Sequence, residues 1–257
     1  MCTLIVLDRI LPGLPLVAAF NRDEFLSRPS APPALVPATN GGKIPLVAPQ
    51  DLEGGGTWMG VNAEGVFVGL TNQPTPGRDA DRRSRGLLVR DALQRPDARG
   101  AADWVRREAP DRYNPFYLLA ADGREAFLLS LRDGKVRSQA LEPGLHVVTN
   151  REPDDPDSRK RPRIQEALDK QDLRLPLPRV LDGLRAVLAE HDPQGDPLAS
   201  VCVHADGAGT RSSGLLALGR DRWELWYADG PPCETNYLDY TRLLDGLRRG
   251  VRARKAN

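Results

Sequence analysis

A cysteine stands second in this chain, behind the initiator methionine. A side chain that small allows Met1 to be removed, which would leave Cys2 carrying both a thiol and a free α-amine. The amine titrates near pKa ~7.7–8.0 and the thiol near ~8.5, so a proton passes between them at little cost near neutral pH. One residue then supplies a nucleophile and its own base, a relative of the serine–histidine–aspartate solution. The plainer alternative is a buried strand cysteine with Met1 retained.

Further polar residues gather where apolar segments end. Asn21-Arg22-Asp23-Glu24-Phe25 closes the run Leu16–Phe20, and polar groups at a strand end sit where sites are built. Thr71-Asn72 ends the segment Val66–Asn72, and Thr149-Asn150 ends Leu145–Asn150. An amide at such a point either caps a loop or offers an N–H to an oxyanion. Arg211 lies in Ala205–Ser213, which reads as a tight turn delivering an arginine and hydroxyls. Trp58 reads as core or pocket wall, and His146 as a structural histidine inside a strand.

The elements that must position these residues follow from periodicity. Thr3–Leu7 suits a strand buried on both faces, and Leu16–Phe20 pairs with it across the Pro12-Gly13 turn. Residues 29–55, rich in proline and glycine, read as an irregular excursion. Short strands are expected over Thr57–Gly60, Val66–Asn72, Phe116–Ala121, Glu125–Leu131, Leu145–Asn150, Ser200–His204 and Arg222–Ala228. Asp122-Gly123 is a hairpin signal. Helices are expected over Ser84–Leu93, with Ser84 as N-cap, and over Ala101–Glu108, Arg163–Lys170 and Val180–Glu190. Residues 151–162 read as a surface connection, and the basic tail from Leu243 as a fraying end. Hairpin-linked strands make largely antiparallel sheets, and two such sheets between helices would use every piece.

The chain has 257 residues and a formal net charge of +1. That length holds one large domain or two small ones, and a single domain over residues 1–257 is expected. The near-balance of charge gives no attraction to nucleic acid or to an anionic membrane surface. No run approaches the ~20 apolar residues of a membrane span. The apolar start lacks a basic n-region and is broken by Asp8 and Arg9, so no secretion signal is read and the cytoplasm is expected. The three cysteines, Cys2, Cys202 and Cys233, fit no zinc spacing, so reduced thiols and no metal site are expected.

The ordered motifs carry a resemblance. Met1-Cys2, Asn21–Phe25 followed by Ser27-Arg28-Pro29, Gly55–Gly60, Leu70-Thr71-Asn72, Ser84-Arg85-Gly86, Tyr113–Phe116, Thr149-Asn150 and Gly209–Ser213 resemble the NRDE family, the transport and Golgi organisation protein 2 homologues. More distantly, the chain is similar to cysteine N-terminal-nucleophile hydrolases of the penicillin V acylase and bile salt hydrolase type. The resemblance implies an α+β fold, an αββα four-layer sandwich of two mainly antiparallel sheets between helix layers. It implies Cys2, Arg22, Asp23, Asn72, Asn150 and Arg211 as catalytic residues, with Trp58 and Thr71 against the substrate.

One departure matters. The hydrolases separate their arginine and aspartate by two residues, whereas Arg22 and Asp23 are adjacent. Successive strand residues point to opposite faces, so which of Arg22, Asp23 and Glu24 faces Cys2 is open. The expected reaction is hydrolysis of an amide or related acyl bond, with no cofactor. Asn72 and Asn150 would stabilise the oxyanion, Arg22 or Arg211 would favour the thiolate, and Asp23 would orient the ammonium. The alternative is a non-catalytic binding or trafficking protein for haem or a lipid or acyl-CoA, as the family's links to membrane traffic, haem mobilisation and lipid homeostasis imply. Cys2 would then ligate haem iron, with His204 as a weaker candidate, although no Cys-x-x-Cys-His motif is present. Either way the expected partner is a small molecule.

Overall fold

The computed structural model describes residues 2–36, 44–75, 79–108, 110–151 and 158–255. Strand β1 (Cys2–Leu11) opens the chain and pairs antiparallel with β2 (Leu14–Phe25). The faces of β1 divide cleanly. Leu4 and Val6 enter the core between the sheets, while Ile5 and Leu7 enter a second core on the outer face. A strand buried on both sides needs an unbroken apolar run, which is what Thr3–Leu7 provides. Each such side chain contributes about 1.5–3 kcal/mol when fully buried.

The first sheet runs β10–β1–β2–β12–β13–β14, with β11 added beside β12. Its later members are β10 (Gly144–Val148), β11 (His204–Ala205), β12 (Ala208–Leu218), β13 (Trp223–Ala228) and β14 (Leu238–Asp239). The second sheet takes the strands in chain order. They are β3 (Ser30–Val36), β4 (Leu46–Asp51), β5 (Met59–Asn62), β6 (Phe67–Asn72), β7 (Phe116–Ala121), β8 (Ala126–Arg132) and β9 (Lys135–Leu141). All paired strands are antiparallel.

Helices α1 (Arg85–Ala92) and α2 (Ala98–Arg107) share a core with the outer face of the second sheet. Helices α3 (Lys160–Asp169) and α4 (Leu177–Leu188) do the same for the first. The layering is αββα. Ser84 caps α1 by accepting from the Gly86 N–H, as the sequence predicts.

Several expectations need correcting. The proline-rich stretch holds β3 and β4, because edge and bulged strands tolerate proline; residues 37–43 of that stretch lie outside the described residues. Strand β9 is polar and solvent-facing, so no apolar alternation marks it. The expected strand Ser200–His204 is strand only at His204, and the expected turn 205–213 narrows to Asp206-Gly207 before the long central strand β12. The basic tail is helix α5 (Thr241–Lys255), anchored by Leu244 and Leu247 in the core between the sheets. The connection 151–162 lies partly outside the described residues, and α3 has begun by Lys160. No helix of the described residues is long and apolar enough to cross a membrane.

Candidate functional site

Strand register decides which side chains meet. Cys2 pairs with Arg22, and both point between the sheets, on the side of Leu4 and Phe20. Cys2 is 8% exposed and lines a cavity of about 260 Å³ at the end of the sandwich. Arg22 and Glu24 line it from β2, Trp58, Leu70 and Asn72 from the facing sheet, and Arg82, Arg83 and Arg85 from the segment entering α1. The Arg22 guanidinium lies 4.3 Å from the centre of the Trp58 ring, a cation–π stack. Its Nη1 is buried and has no hydrogen-bond partner among the described residues.

Asn150 follows the end of β10 and joins the two sheets at the cysteine. Its Oδ1 accepts from the Cys2 backbone nitrogen at 2.6 Å, and its Nδ2 donates to the Asn72 carbonyl at 2.5 Å. The amide orientation is forced, since an N–H must meet the oxygen and a carbonyl the nitrogen. Asn150 therefore spends one of its two amide N–H donors on backbone. Asn72 also lines the cavity. Thr71 alternates to the opposite side of β6, where its hydroxyl donates to the Thr149 carbonyl at 2.7 Å. It is a bond between the sheets and does not line the cavity.

Asp23 resolves the question left by its adjacency to Arg22. The strand continues through Phe25, so Asp23 points to the α3 side. There its Oδ1 accepts from the Thr210 hydroxyl at 2.7 Å and its Oδ2 meets Lys160 Nζ at 3.3 Å. Its backbone carbonyl still faces the Cys2 sulfur at 3.9 Å. Arg211 occupies a bulge of β12, between the pairs Thr210–Asp23 and Ser212–Arg22. Arg211 and Arg22 both act on the phenol of Tyr227, whose pKa burial pushes up. Lys160 had no signal in the sequence, being 137 residues from Asp23.

The thiol itself differs from expectation. Burial pushes the Cys2 pKa above its ordinary value, and the carboxylates of Asp23 and Glu24 push it the same way.

The far wall of the cavity depends on two glycines. A Cβ on Gly56 would lie 2.1 Å from the Gly86 carbonyl carbon, so the loop before β5 can touch the start of α1 only without a side chain. Arg28 supports the same wall, holding Asp51 through Nε at 3.1 Å and Nη2 at 2.7 Å. His204, the other candidate iron ligand, stands against Cys202 and Cys233.

Set beside known proteins, the chain is similar to the Transport and Golgi organization protein 2 homolog of Homo sapiens, 28% identical over 242 residues covering 80% of this chain and 83% of that one. The homolog of Bos taurus is 29% identical over 237 residues, again covering 80% and 83%. Among solved structures, the penicillin V acylase from Agrobacterium tumefaciens superposes with a TM-score of 0.59 at 12% identity, over 95% of this chain and 88% of that one. The Caenorhabditis elegans N-acylethanolamine-hydrolyzing acid amidase ortholog superposes with a TM-score of 0.60 at 16% identity, over 96% and 97%. The shared feature is the fold of N-terminal-nucleophile hydrolases. The sequence pattern described as Transport and Golgi organisation 2 matches residues 1–225, and the chain belongs to that family.

Proposed function

We propose that the chain is an N-terminal-nucleophile hydrolase that cleaves an amide or related acyl bond of a small anionic substrate, with Cys2 as nucleophile after Met1 removal. The observation that carries this reading is the convergence at Cys2. Its nitrogen is held by Asn150, its sulfur lines a polar cavity, and its cross-strand neighbour Arg22 has an unpartnered guanidinium nitrogen.

The α-amine takes the proton from Sγ as the sulfur attacks the substrate carbonyl carbon. Asn150 Oδ1 keeps that amine beside the sulfur, in the place where it now accepts from the Cys2 nitrogen. The side-chain amides of Asn72 and Asn150 donate to the oxyanion. Collapse breaks the C–N bond, and the departing amine takes the proton from the α-ammonium. Water then attacks the Cys2 thioester, giving up a proton to the α-amine and returning the thiol. The raised thiol pKa suits this order, because the nucleophile forms only when its internal base is present. Arg22 anchors a carboxylate or phosphate of the substrate, and the Trp58 ring backs it. Asp23 and Lys160 form a buried pair that fixes β2 beside the amine.

The test combines intact mass with turnover on a panel of N-acyl amino acids. The expected result is a chain lacking Met1 that releases amine, with release lost in Cys2→Ala. A mature chain that keeps Met1, or turnover that survives Cys2→Ala, overturns the proposal.

A further inference from the structure

We propose that His191, Cys202, His204 and Cys233 form a closed zinc site, independent of the Cys2 cavity, that cross-links the segment after α4 to the turn after β13. One ligating atom from each residue lies within 4.8 Å of all the others. The two Sγ atoms are 3.5 Å apart, and His204 Nε2 is 3.2 Å from the sulfur of Cys233 and 3.7 Å from that of Cys202. Bonds of ~2.3 Å to sulfur and ~2.0–2.1 Å to nitrogen put the ligands of a tetrahedral zinc roughly 3.3–3.8 Å apart. Cys202, His204 and Cys233 are spaced as such an ion requires, and a His191 nitrogen lies within 4.8 Å of all three ligating atoms.

The donor set and its surroundings agree with that identity. Two thiols and two imidazoles select a borderline-soft ion of tetrahedral preference. Four protein ligands leave no open position, which marks a structural centre and not a catalytic one. His191 Nδ1 lies 3.0 Å from the Cys202 carbonyl, an arrangement that fixes the ring and leaves Nε2 to ligate. Cys202 is buried, whereas His191, His204 and Cys233 are exposed, so an ion has a path in.

The fold explains what the cross-link would brace. Val203, between two of the ligands, donates its N–H to the Thr210 hydroxyl at 2.9 Å and accepts from the Thr210 N–H at 2.8 Å. The same hydroxyl donates to Asp23. A metal at this point would hold the strap that supports β2 beside Cys2.

The experiment uses the full chain, purified under reducing conditions. Metal content is measured by mass spectrometry, and cobalt(II) is added to chelator-treated protein as the probe. The expected result is about one zinc per chain as purified. Cobalt should give a thiolate-to-metal charge-transfer band and the intense visible absorption of tetrahedral coordination. Cys233→Ser and His204→Gln, both at the surface, should lose the zinc and weaken the cobalt spectrum, with circular dichroism confirming a folded chain. Cys2→Ala should keep both, which separates this site from the hydrolase reading. A metal-free wild type that gives no thiolate band with cobalt overturns the proposal. So does a band unchanged in both surface variants, or a Cys202–Cys233 disulfide that persists under the reducing conditions.

Discussion

At Cys2 the sulfur is buried among backbone and amide groups, with its pKa raised by burial and by neighbouring carboxylates. At Cys202 and Cys233 two sulfurs face each other beside two imidazoles at the surface. Both places gather residues from distant parts of the chain, yet they prepare the same element for opposite work. A lone buried thiol needs a base before it can react, so its chemistry hangs on the amine of its own residue. A pair of thiols beside two histidines can hold an ion, and the work proposed for it is cross-linking.

The largest effect should separate the two regions outright. Turnover should fall by on the order of 10⁶-fold in Cys2→Ala, the scale on which loss of an enzyme nucleophile registers, while Cys233→Ser leaves the chemical step intact. Alkylation sharpens the contrast. With an extra residue ahead of Cys2 that blocks processing, its iodoacetamide rate at pH 7 should be low and should climb with pH beyond the ordinary thiol range, because a raised pKa keeps the thiol neutral. The processed chain should react faster at pH 7. Equal rates in the two forms would mean that the α-amine is not the base.

The next effect separates the two asparagines, which the sequence treats as equivalent. Asn72→Ala should lower kcat about 10²–10³-fold with little change in melting temperature, as loss of an oxyanion donor does. Asn150→Ala strands the Cys2 nitrogen and the Asn72 carbonyl together. It should cost stability, about 1–3 kcal/mol for each buried group left unpaired, in addition to activity. A third variant touches only the cavity wall. Gly56→Ala drives a methyl into the Gly86 backbone, which no rotamer relieves, and should destabilise the fold by about 3 kcal/mol in urea melts.

How far the chain could be read in advance follows from whether each signal is local. The β1–β2 hairpin, α1 with its Ser84 cap, and the β7–β8 hairpin are written in neighbouring residues, and the structure keeps them. Strand β9 and the proline-bearing β3 and β4 are not, because their place in the sheet is set by partners and not by their own alternation. Cys2, Arg22, Asn72 and Asn150 were legible as a group only through ordered motifs, since residues 2 and 150 meet across the pairing of β1 with the sequence-distant β10. The side to which Asp23 points depended on β2 running straight through Phe25. Its partner Lys160 and the imidazole–thiol cluster carry no local spacing at all. Helix α5 shows the same limit, as a basic tail reveals its apolar stripe only against Trp223 and the inter-sheet core.

The smallest effect concerns the ion pair that borders the cavity. Arg28 grips Asp51 with two nitrogens, and the Gly54 N–H also donates to that carboxylate. Burial works to raise the Asp51 pKa, but Arg28 and the Gly54 N–H outweigh it and hold the carboxyl below its ordinary value. A folded pKa below the unfolded one means that the unfolded chain takes up the proton first as pH falls. The pair's contribution is therefore complete above the unfolded carboxylate value of ~3.9 and is lost as pH drops through the folded one. Asp51→Asn should cost about 1 kcal/mol at pH 7, a charged hydrogen bond discounted for partial exposure. In urea melts the gap between wild type and variant should close as the pH falls well below 4. If the gap instead persists at low pH, the carboxylate's shape and not its charge supports the wall.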